Sequence, residues 1–168
     1  MTNALDELDV RIVEVFSTEP RVGVLECSRR LGVARATVQA RLDRMAGRGV
    51  IRGWGPQLDA AAMGYGVTAF VTLEIRQAGG HDAVAEHLAS VPEVLEAHTI
   101  TGSGDMFARI VARSNADLQR VIDRLVAAPG IVRTSTVIAL ATQIPPRELP
   151  LLRAAVEAAA AGQDASPG

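Results

Sequence analysis

The sequence predicts an α+β protein of two units, an N-terminal helix-turn-helix followed by a β-α-β-β-α-β unit. Charge changes sign along the chain, because residues 1–52 carry a net charge of +2 and residues 53–168 one of −4. A stretch rich in glycine and alanine, residues 55–64, separates the two parts, and the second part contains an internal repeat. At 168 residues with 48% hydrophobic side chains, the chain is long and apolar enough for two small domains.

The composition narrows the cellular setting. There is one cysteine, so no disulfide can form within the chain. No apolar run approaches the roughly 20 residues needed to span a bilayer, and no signal sequence opens the chain. We therefore expect a cytoplasmic protein that does not associate with membranes.

The first unit is predicted to contain three helices. Apolar residues recur at helical spacing from residue 5 to 17, and Pro20 helps to end this first helix. A second helix is predicted at 24–31, followed by a tight turn at Gly32, where glycine can adopt a left-handed conformation. The third helix, 35–48, should turn Val38, Leu42 and Met45 inward. Gly49 ends it, and residues 50–54 are predicted to form a short strand, as in winged-helix-like domains.

A strongly basic window overlaps these helices. Residues 21–52 hold eight of the 17 basic residues, all arginines, and only two acids, a net charge of +6. A cationic helix-turn-helix favours double-stranded DNA as the partner. The N-terminal end of the third helix should lie nearest the base edges, and Arg41, Arg44 and Arg48 form a stripe suited to phosphates. A solvated charged helix face would have the same pattern. The predicted DNA-binding residues are Arg35, Ala36, Thr37, Gln39, Ala40, Arg41, Arg44 and Arg48.

The second unit is built on a repeat with an offset of 37 residues. Residues 90–95 recur as 127–132, and the strand-like segment 67–76 recurs as 104–113. Each half then has a strand, a helix (81–90 or 116–127) and a strand, with Ser114 and Asp117 as a capping pair for the second helix. Two such halves make a ferredoxin-like sheet of four antiparallel strands with two helices on one face. Because Phe70 and Val111 leave apolar side chains on both faces, we expect a second subunit to cover the other face.

The domain boundaries predicted on this basis are as follows. Residues 1–52 form the DNA-binding helix-turn-helix domain, and 53–64 form a hinge with at most one helical turn. Residues 65–145 form the ferredoxin-like domain, which would support dimers. Residues 146–168 contain an alanine-rich helix, 151–161, and a frayed tail from residue 162.

Several short segments, taken in order over about 140 residues, match the residues that one protein family has at the same places. They include Leu8-Asp9, Arg30-Leu31-Gly32-Val33, 49–53, 102–105 and 129–132. In this order they resemble the Lrp/AsnC (feast/famine) transcriptional regulators. Gly23 and Ala34 depart from that pattern, since the family usually has Ser or Thr at these two helix N-caps. Cys27, which stands where a leucine is usual, is predicted to fill core space.

The resemblance assigns an effector site to the segment 102–105. From the residues alone, a plain β-turn is the favoured interpretation of this segment, because Gly and Asp are common turn residues. The resemblance implies that the loop borders a pocket at a subunit interface and that dimers assemble into tetramers or octamers. The glycines would let a carboxylate approach the backbone, and Asp105 would accept an ammonium, which suits an amino acid. The predicted effector-binding residues are Thr101, Gly102, Ser103, Gly104, Asp105, Thr134 and Thr136.

Three function classes follow. The first is a sequence-specific regulator whose DNA affinity or assembly responds to a small molecule. The second is an architectural DNA-binding protein with weak sequence preference. An enzyme is the third, since some haem-biosynthetic decarboxylases resemble this fold, but no catalytic constellation stands out and no cofactor is expected. A metal site is not expected either, because His81 and His87 are six residues apart and His98 is isolated.

Overall fold

The computed structural model describes residues 5–76 and 80–164. The chain divides into a helical unit, Met1–Gly55 with Ile144–Gly168, and a sheet unit, Pro56–Gln143. The helices of the helical unit are α1 (Glu7–Thr18), α2 (Val24–Leu31), α3 (Arg35–Gly47) and α6 (Leu149–Asp164). The sheet unit contains β1 (Val67–Ile75), α4 (His81–Ala89), β2 (Val94–Thr99), β3 (Met106–Ala112), α5 (Asn115–Val126) and β4 (Ile131–Ala139). The α+β class is confirmed.

The helix-turn-helix is formed by α2 and α3. Gly32 ends α2 in the left-handed conformation, with a φ of 68°, and lets the chain reverse into α3. Neither Gly23 nor Ala34 caps its helix with a side chain, as their residue types predict. The core contains the inward trio of α3 and the predicted core cysteine, all buried: Ile12, Cys27, Val38, Leu42 and Met45.

The prediction of a strand at 50–54 is wrong. The backbone N–H groups of Val50 and Ile51 both donate to the carbonyl of Met45, at 2.9 and 3.3 Å, so they are turned back onto the end of α3 instead of pairing with a strand. Ile51 packs on the core of the helical unit. Trp54 packs edge-on against Phe16 of α1, with 5.2 Å between the ring centroids.

The sheet has the strand order β2-β3-β1-β4, and all neighbours are antiparallel. This is the predicted ferredoxin-like arrangement. Alternate residues of β1 and β3 pack against α4 and α5. The Asp117 N–H donates to Ser114 Oγ at 3.1 Å, so the predicted cap of α5 is confirmed. The buried core of this unit consists of Ala69, Val71, Leu73, Val84, Leu88, Met106, Ala108, Ile110, Ala112, Leu118, Val121 and Leu125.

The opposite sheet face carries the remaining side chains of the same strands. Phe70 and Phe107 stack there, with centroids 5.5 Å apart and ring planes 12° apart. Val137, the β4 neighbour of Phe70, is 60% exposed. The two helices of this unit, α4 and α5, both supply their buried side chains to the core on the other face of the sheet. An apolar strip of this kind is the feature that led us to expect a second subunit.

The segment 55–64 is not a plain coil. Asp59 Oδ1 accepts from the N–H groups of Ala61 and Ala62, at 2.8 and 3.1 Å, and so starts the single helical turn expected in the linker.

The frayed tail begins later than predicted, since α6 continues through 162–164. Glycine costs a helix only about 1 kcal/mol, which the flanking alanines tolerate. The predicted tail residues 165–168 lie outside the described residues.

Candidate functional sites

The outer surface of α3 presents most of the predicted DNA-binding residues. Arg35, Ala36, Gln39, Ala40 and Arg48 are all exposed, and Thr37 is half-buried. The Gln39 amide donates to Asp43 Oδ1 at 2.8 Å, which fixes its side chain along the helix. The small alanines leave room for close approach, while the neighbouring polar side chains extend beyond them. This surface suits insertion into a groove.

Two predicted phosphate contacts are placed differently. Arg44 Nη2 donates to both carboxylate oxygens of Asp9 in α1, at 2.6 and 2.9 Å. Arg41 Nη1 donates to Asp9 at 3.2 Å and also to Asp6. Asp9 is fully buried, and the two arginine side chains are only 22–24% exposed. Arg41 and Arg44 are therefore half-buried and paired with α1, because the start of α1 supplies carboxylates at the same level, and their contact with phosphate stays a prediction.

The carboxylates of this cluster also begin α1. Asp6 and Asp9 form a reciprocal capping box, in which each side chain accepts the backbone N–H of the other. Burial raises the pKa of Asp6, but hydrogen bonds from Arg41 and the Asp9 backbone outweigh it, so the net pKa is lowered. The carboxylate stays ionised at neutral pH and the ion pairs persist. We call Asp6, Asp9, Arg41 and Arg44 the α1–α3 clamp; it fixes α3 to α1.

The β2–β3 loop forms one wall of an open depression in the sheet unit, with a volume of about 340 Å³. The end of β1 and the start of β4 form the rest of the lining. Two carboxylates, those of Glu74 and Asp105, give the depression an acidic character, and Arg133 lies 3.9 Å from Glu74. The lining residues are Glu74, Ile75, Gly102, Ser103, Gly104, Asp105 and Val132.

The loop is held tightly to β1. The Asp105 N–H donates to the Leu73 carbonyl at 2.9 Å, and Asp105 Oδ2 accepts the N–H of Ile75 at 2.6 Å. A Cβ atom on Gly104 would lie 2.3 Å from Thr72 Cγ2 and 3.3 Å from the Leu73 carbonyl oxygen. Gly104 is therefore required by close approach to β1. A plain β-turn would not explain this attachment.

The structure brings together four of the seven predicted effector residues. Gly102, Ser103, Gly104 and Asp105 line the depression, whereas Thr101, Thr134 and Thr136 do not. The last two pair with Leu73 and Val71, so they point to the helix-covered face. Sequence reasoning missed Glu74. Its position at the end of a strand, before a glycine-rich segment, was the available signal.

A second buried carboxylate, also missed, organises the sheet unit. Glu93 is only 6% exposed and accepts from Arg120 Nη2 at 2.7 Å, with Arg124 Nη1 at 3.6 Å. The hydrogen bond from Arg120 lowers the pKa of Glu93, against the effect of burial. The pairing attaches α5 to the turn before β2.

Metal-binding clusters and membrane-spanning helices are both absent from the part of the chain that the structure describes. Within residues 5–76 and 80–164, no three His, Cys, Asp or Glu side chains cluster in a way that could hold a metal ion. Among the helices of the same ranges, none has the length and hydropathy to cross a membrane.

Sequence comparison gives matches in both units. The AsnC-type helix-turn-helix domain matches residues 5–46, and the Lrp/AsnC ligand binding domain matches residues 68–149. The chain is 31% identical over 147 residues to the HTH-type transcriptional regulator FL11 of Pyrococcus horikoshii. That alignment covers 88% of this chain and 97% of FL11.

Solved structures give the same result. Escherichia coli AsnC superposes with a TM-score of 0.79 at 28% identity, covering 87% of this chain and 99% of AsnC. The feast or famine regulatory protein of M. tuberculosis, in a complex with L-methionine, superposes with a TM-score of 0.75 at 25% identity. That match covers 86% of this chain and 97% of the M. tuberculosis protein.

Proposed function

Because this chain belongs to the Lrp/AsnC family of transcriptional regulators, we propose that it recognises specific DNA sequences and that an amino acid modulates this binding. The chain is a regulator and not an enzyme. The observation that carries the effector part is the acidic depression closed by Gly104 and Asp105. The observation that carries the DNA part is the exposed N-terminal half of α3.

DNA reading is assigned to the outer surface of α3. Arg35 stands at the helix start with Ala36 beside it, and Gln39 and Ala40 follow one turn later. Arginine forks onto guanine or phosphate, and glutamine pairs with adenine, when the helix enters the major groove. Arg41 and Arg44 contribute by holding α3 in place through the α1–α3 clamp. Arg48, at the far end of the helix, remains a proposed phosphate contact.

The depression has the chemistry of an amino-acid site. Glu74 and Asp105 suit an ammonium group. Asp105 Oδ2 accepts the Ile75 N–H, so Oδ1 is the oxygen that we propose to meet the ligand. Gly102 and Gly104 let a ligand carboxylate approach backbone N–H groups. The complex of the M. tuberculosis protein with L-methionine supports this choice of ligand class.

A homodimer would complete the sheet unit. The face with Phe70, Phe107 and Val137 is apolar and leaves Val137 60% exposed, and a second copy of the same face could cover it by twofold symmetry. Paired readers would then meet two DNA half-sites, which are spaced by helical turns in such complexes.

Replacing Arg35 by alanine should weaken binding to every DNA sequence. Binding to the specific target sequence of the protein should weaken still more. The slope of log K against log salt should flatten by about one unit if the guanidinium contacts phosphate. Titrations at several salt concentrations, monitored by the anisotropy of labelled DNA, measure both effects. Arg76→Ala, an exposed arginine of the sheet unit, is the matched control. Equal affinities for Arg35→Ala and the parent protein would contradict this role of α3.

Selection from random-sequence DNA tests specificity itself. We expect an enriched motif with two half-sites, bound about 10³-fold or more tightly than unrelated DNA. Absence of any enriched motif, with strong binding throughout, would instead establish an architectural DNA-binding protein.

Asp105→Asn should preserve the loop and lose the ligand. The asparagine carbonyl can still accept from the Ile75 N–H, but the negative charge that faces the ammonium is gone. We expect about a tenfold or greater loss of affinity for L-methionine by calorimetry. Asp123→Asn, which makes the same change at an exposed carboxylate of α5 outside the depression, is the control. Unchanged affinity in Asp105→Asn would exclude the carboxylate from the site, and no heat with a panel of amino acids on the parent would reject this ligand class.

A further inference from the structure

The outer face of α1 is covered by a helix at the C-terminal end of the chain. Ile12 points into the three-helix core, and Val10 and Glu14 lie two residues to either side, about 200° around the helix and so on the opposite face. A side chain on that face of a three-helix domain would normally be exposed to solvent. Val10 is nevertheless only 2% exposed.

The cover is α6, which packs against α1. Its less exposed residues recur at i, i+3, i+7 and i+10, as expected for one helix face. Val156, at the centre of that face, is 8% exposed. Arg153 Nε donates to Glu14 Oε1 at 2.7 Å, and Arg52 lies 3.6 Å from Glu148 just before α6. The residues of the packed face are Leu149, Leu152, Val156 and Ala159.

The comparisons indicate that this cover is an addition to the family pattern. The match to the ligand binding domain ends at residue 149, where α6 begins. FL11 of P. horikoshii and E. coli AsnC are covered over 97% and 99% of their lengths by only 88% and 87% of this chain. The uncovered part of this chain, about an eighth of it, is long enough to contain α6, and the family match ends where α6 begins.

We propose that α6 is a C-terminal anchor, whose docking surface is the α1 face of Val10 and Glu14 in the same chain. The segment that enters α6 leaves β4 of the sheet unit, so the chain passes between the two units twice, once before residue 56 and once after residue 143. A docked α6 makes the second passage a physical connection to α1. The helical unit is then attached to the sheet unit at both passages, which restricts its rotation.

The anchor is tested on the full chain with Val156→Glu, which places a charge in the packed face. Ala155→Glu, exposed and adjacent on α6, is the matched control. Trp54 is the single tryptophan of the sequence and packs on Phe16 of α1, so its fluorescence reports on the helical unit. We expect Val156→Glu to lower the urea midpoint of this signal by about 1 M, and Ala155→Glu to leave it unchanged. Equal midpoints for the two variants would overturn the docking.

Rotational freedom separates an anchor from a cover that only stabilises α1. The anisotropy decay of Trp54 should show a fast component of domain rotation in Val156→Glu that is absent from the parent and from Ala155→Glu. A fast component already present in the parent protein would overturn the second connection.

Charge reversal and crosslinking identify the docked helix. Glu14→Arg and Arg153→Glu should each lower the midpoint, and the double variant should restore it. With Glu14→Cys and Arg153→Cys together, a short bis-maleimide should link the two positions within one chain. Linked dimers in place of that product would overturn docking within one chain and establish an exchange of α6 between copies.

Discussion

Asp9→Asn should destabilise the helical unit by about 3 kcal/mol. The substitution keeps the shape of the side chain but removes the charge that two guanidinium groups share, at 2.6–3.2 Å in a fully buried position. Arg41 would keep its pair with Asp6, but both guanidinium groups would face a neutral amide in place of the buried carboxylate. The capping box of α1 would also lose part of its strength, because Asp9 accepts the N–H of Asp6. The urea transition of Trp54 fluorescence measures the loss.

The control for this variant is Asp43→Asn on α3. Asp43 is exposed and has a hydrogen bond from Gln39, so its loss should cost only about 0.5 kcal/mol. A double-mutant cycle with Arg44→Met adds a second criterion: the two changes together should cost less than their sum, because both sides of the pair are removed. Additive costs would show that the clamp contributes little beyond packing.

The same reasoning changes what Arg41→Ala and Arg44→Ala should do. As phosphate contacts they would flatten the salt dependence of DNA binding. As parts of the α1–α3 clamp they should instead lower the free energy of unfolding of the helical unit. The slope of log K for DNA binding against log salt, measured on the folded protein, should then stay unchanged. Measuring both quantities on the same variants separates the two roles.

Gly104→Ala should damage the proposed effector site and lower the free energy of unfolding of the sheet unit by about 2 kcal/mol or more. The new Cβ would lie 2.3 Å from Thr72 Cγ2, which cannot rotate freely because threonine in a strand is restricted at χ1. The loop would have to move away from β1. That movement would break the bond from the Asp105 N–H to the Leu73 carbonyl and the bond from the Ile75 N–H to Asp105. Thermal unfolding followed by far-ultraviolet circular dichroism, and calorimetry with L-methionine, measure the two effects.

Two further variants make this prediction specific. Gly66→Ala is the control, since Gly66 has no atom within 4 Å of a new Cβ and no positive φ. Thr72→Ser removes the methyl group that clashes, so the pair Thr72→Ser and Gly104→Ala should recover most of the stability. If the double variant is as unstable as Gly104→Ala alone, steric conflict with Thr72 is not the cause.

Periodicity and glycine placement were sufficient to predict the architecture. The inward trio of α3 and the turn at Gly32 follow from helical spacing and from the one residue type that tolerates a positive φ. The repeat with its offset of 37 residues predicted the strands and helices of the sheet unit because each half must bury the same faces. These are local signals, and they are strong where a single face is buried.

The errors came from partners that lie far apart in sequence. A helical wheel placed Arg41 and Arg44 away from the core, but their acceptors, Asp6 and Asp9, lie more than 30 residues earlier. The strand expected at 50–54 failed for a related reason, since Val50 and Ile51 bond to the end of α3. Glu74 lines the depression because the end of β1 lies beside the β2–β3 loop. Its place at the end of a strand was visible in the sequence, but its proximity to a loop about 30 residues later was not.

The α1–α3 clamp also bears on how tightly the protein should hold DNA that lacks its target. Affinity for any duplex depends largely on the counterions that cationic side chains release from it. Two arginines of the basic window already have carboxylate partners within the domain, and Arg30 is held by Glu19 at 2.6 Å and by Glu26 at 3.1 Å. Fewer counterions are therefore released than the eight arginines in the sequence suggest. If the chain recognises specific sequences as we propose, a larger share of its binding free energy should come from contacts with base edges, which would favour discrimination between sites over binding to any duplex.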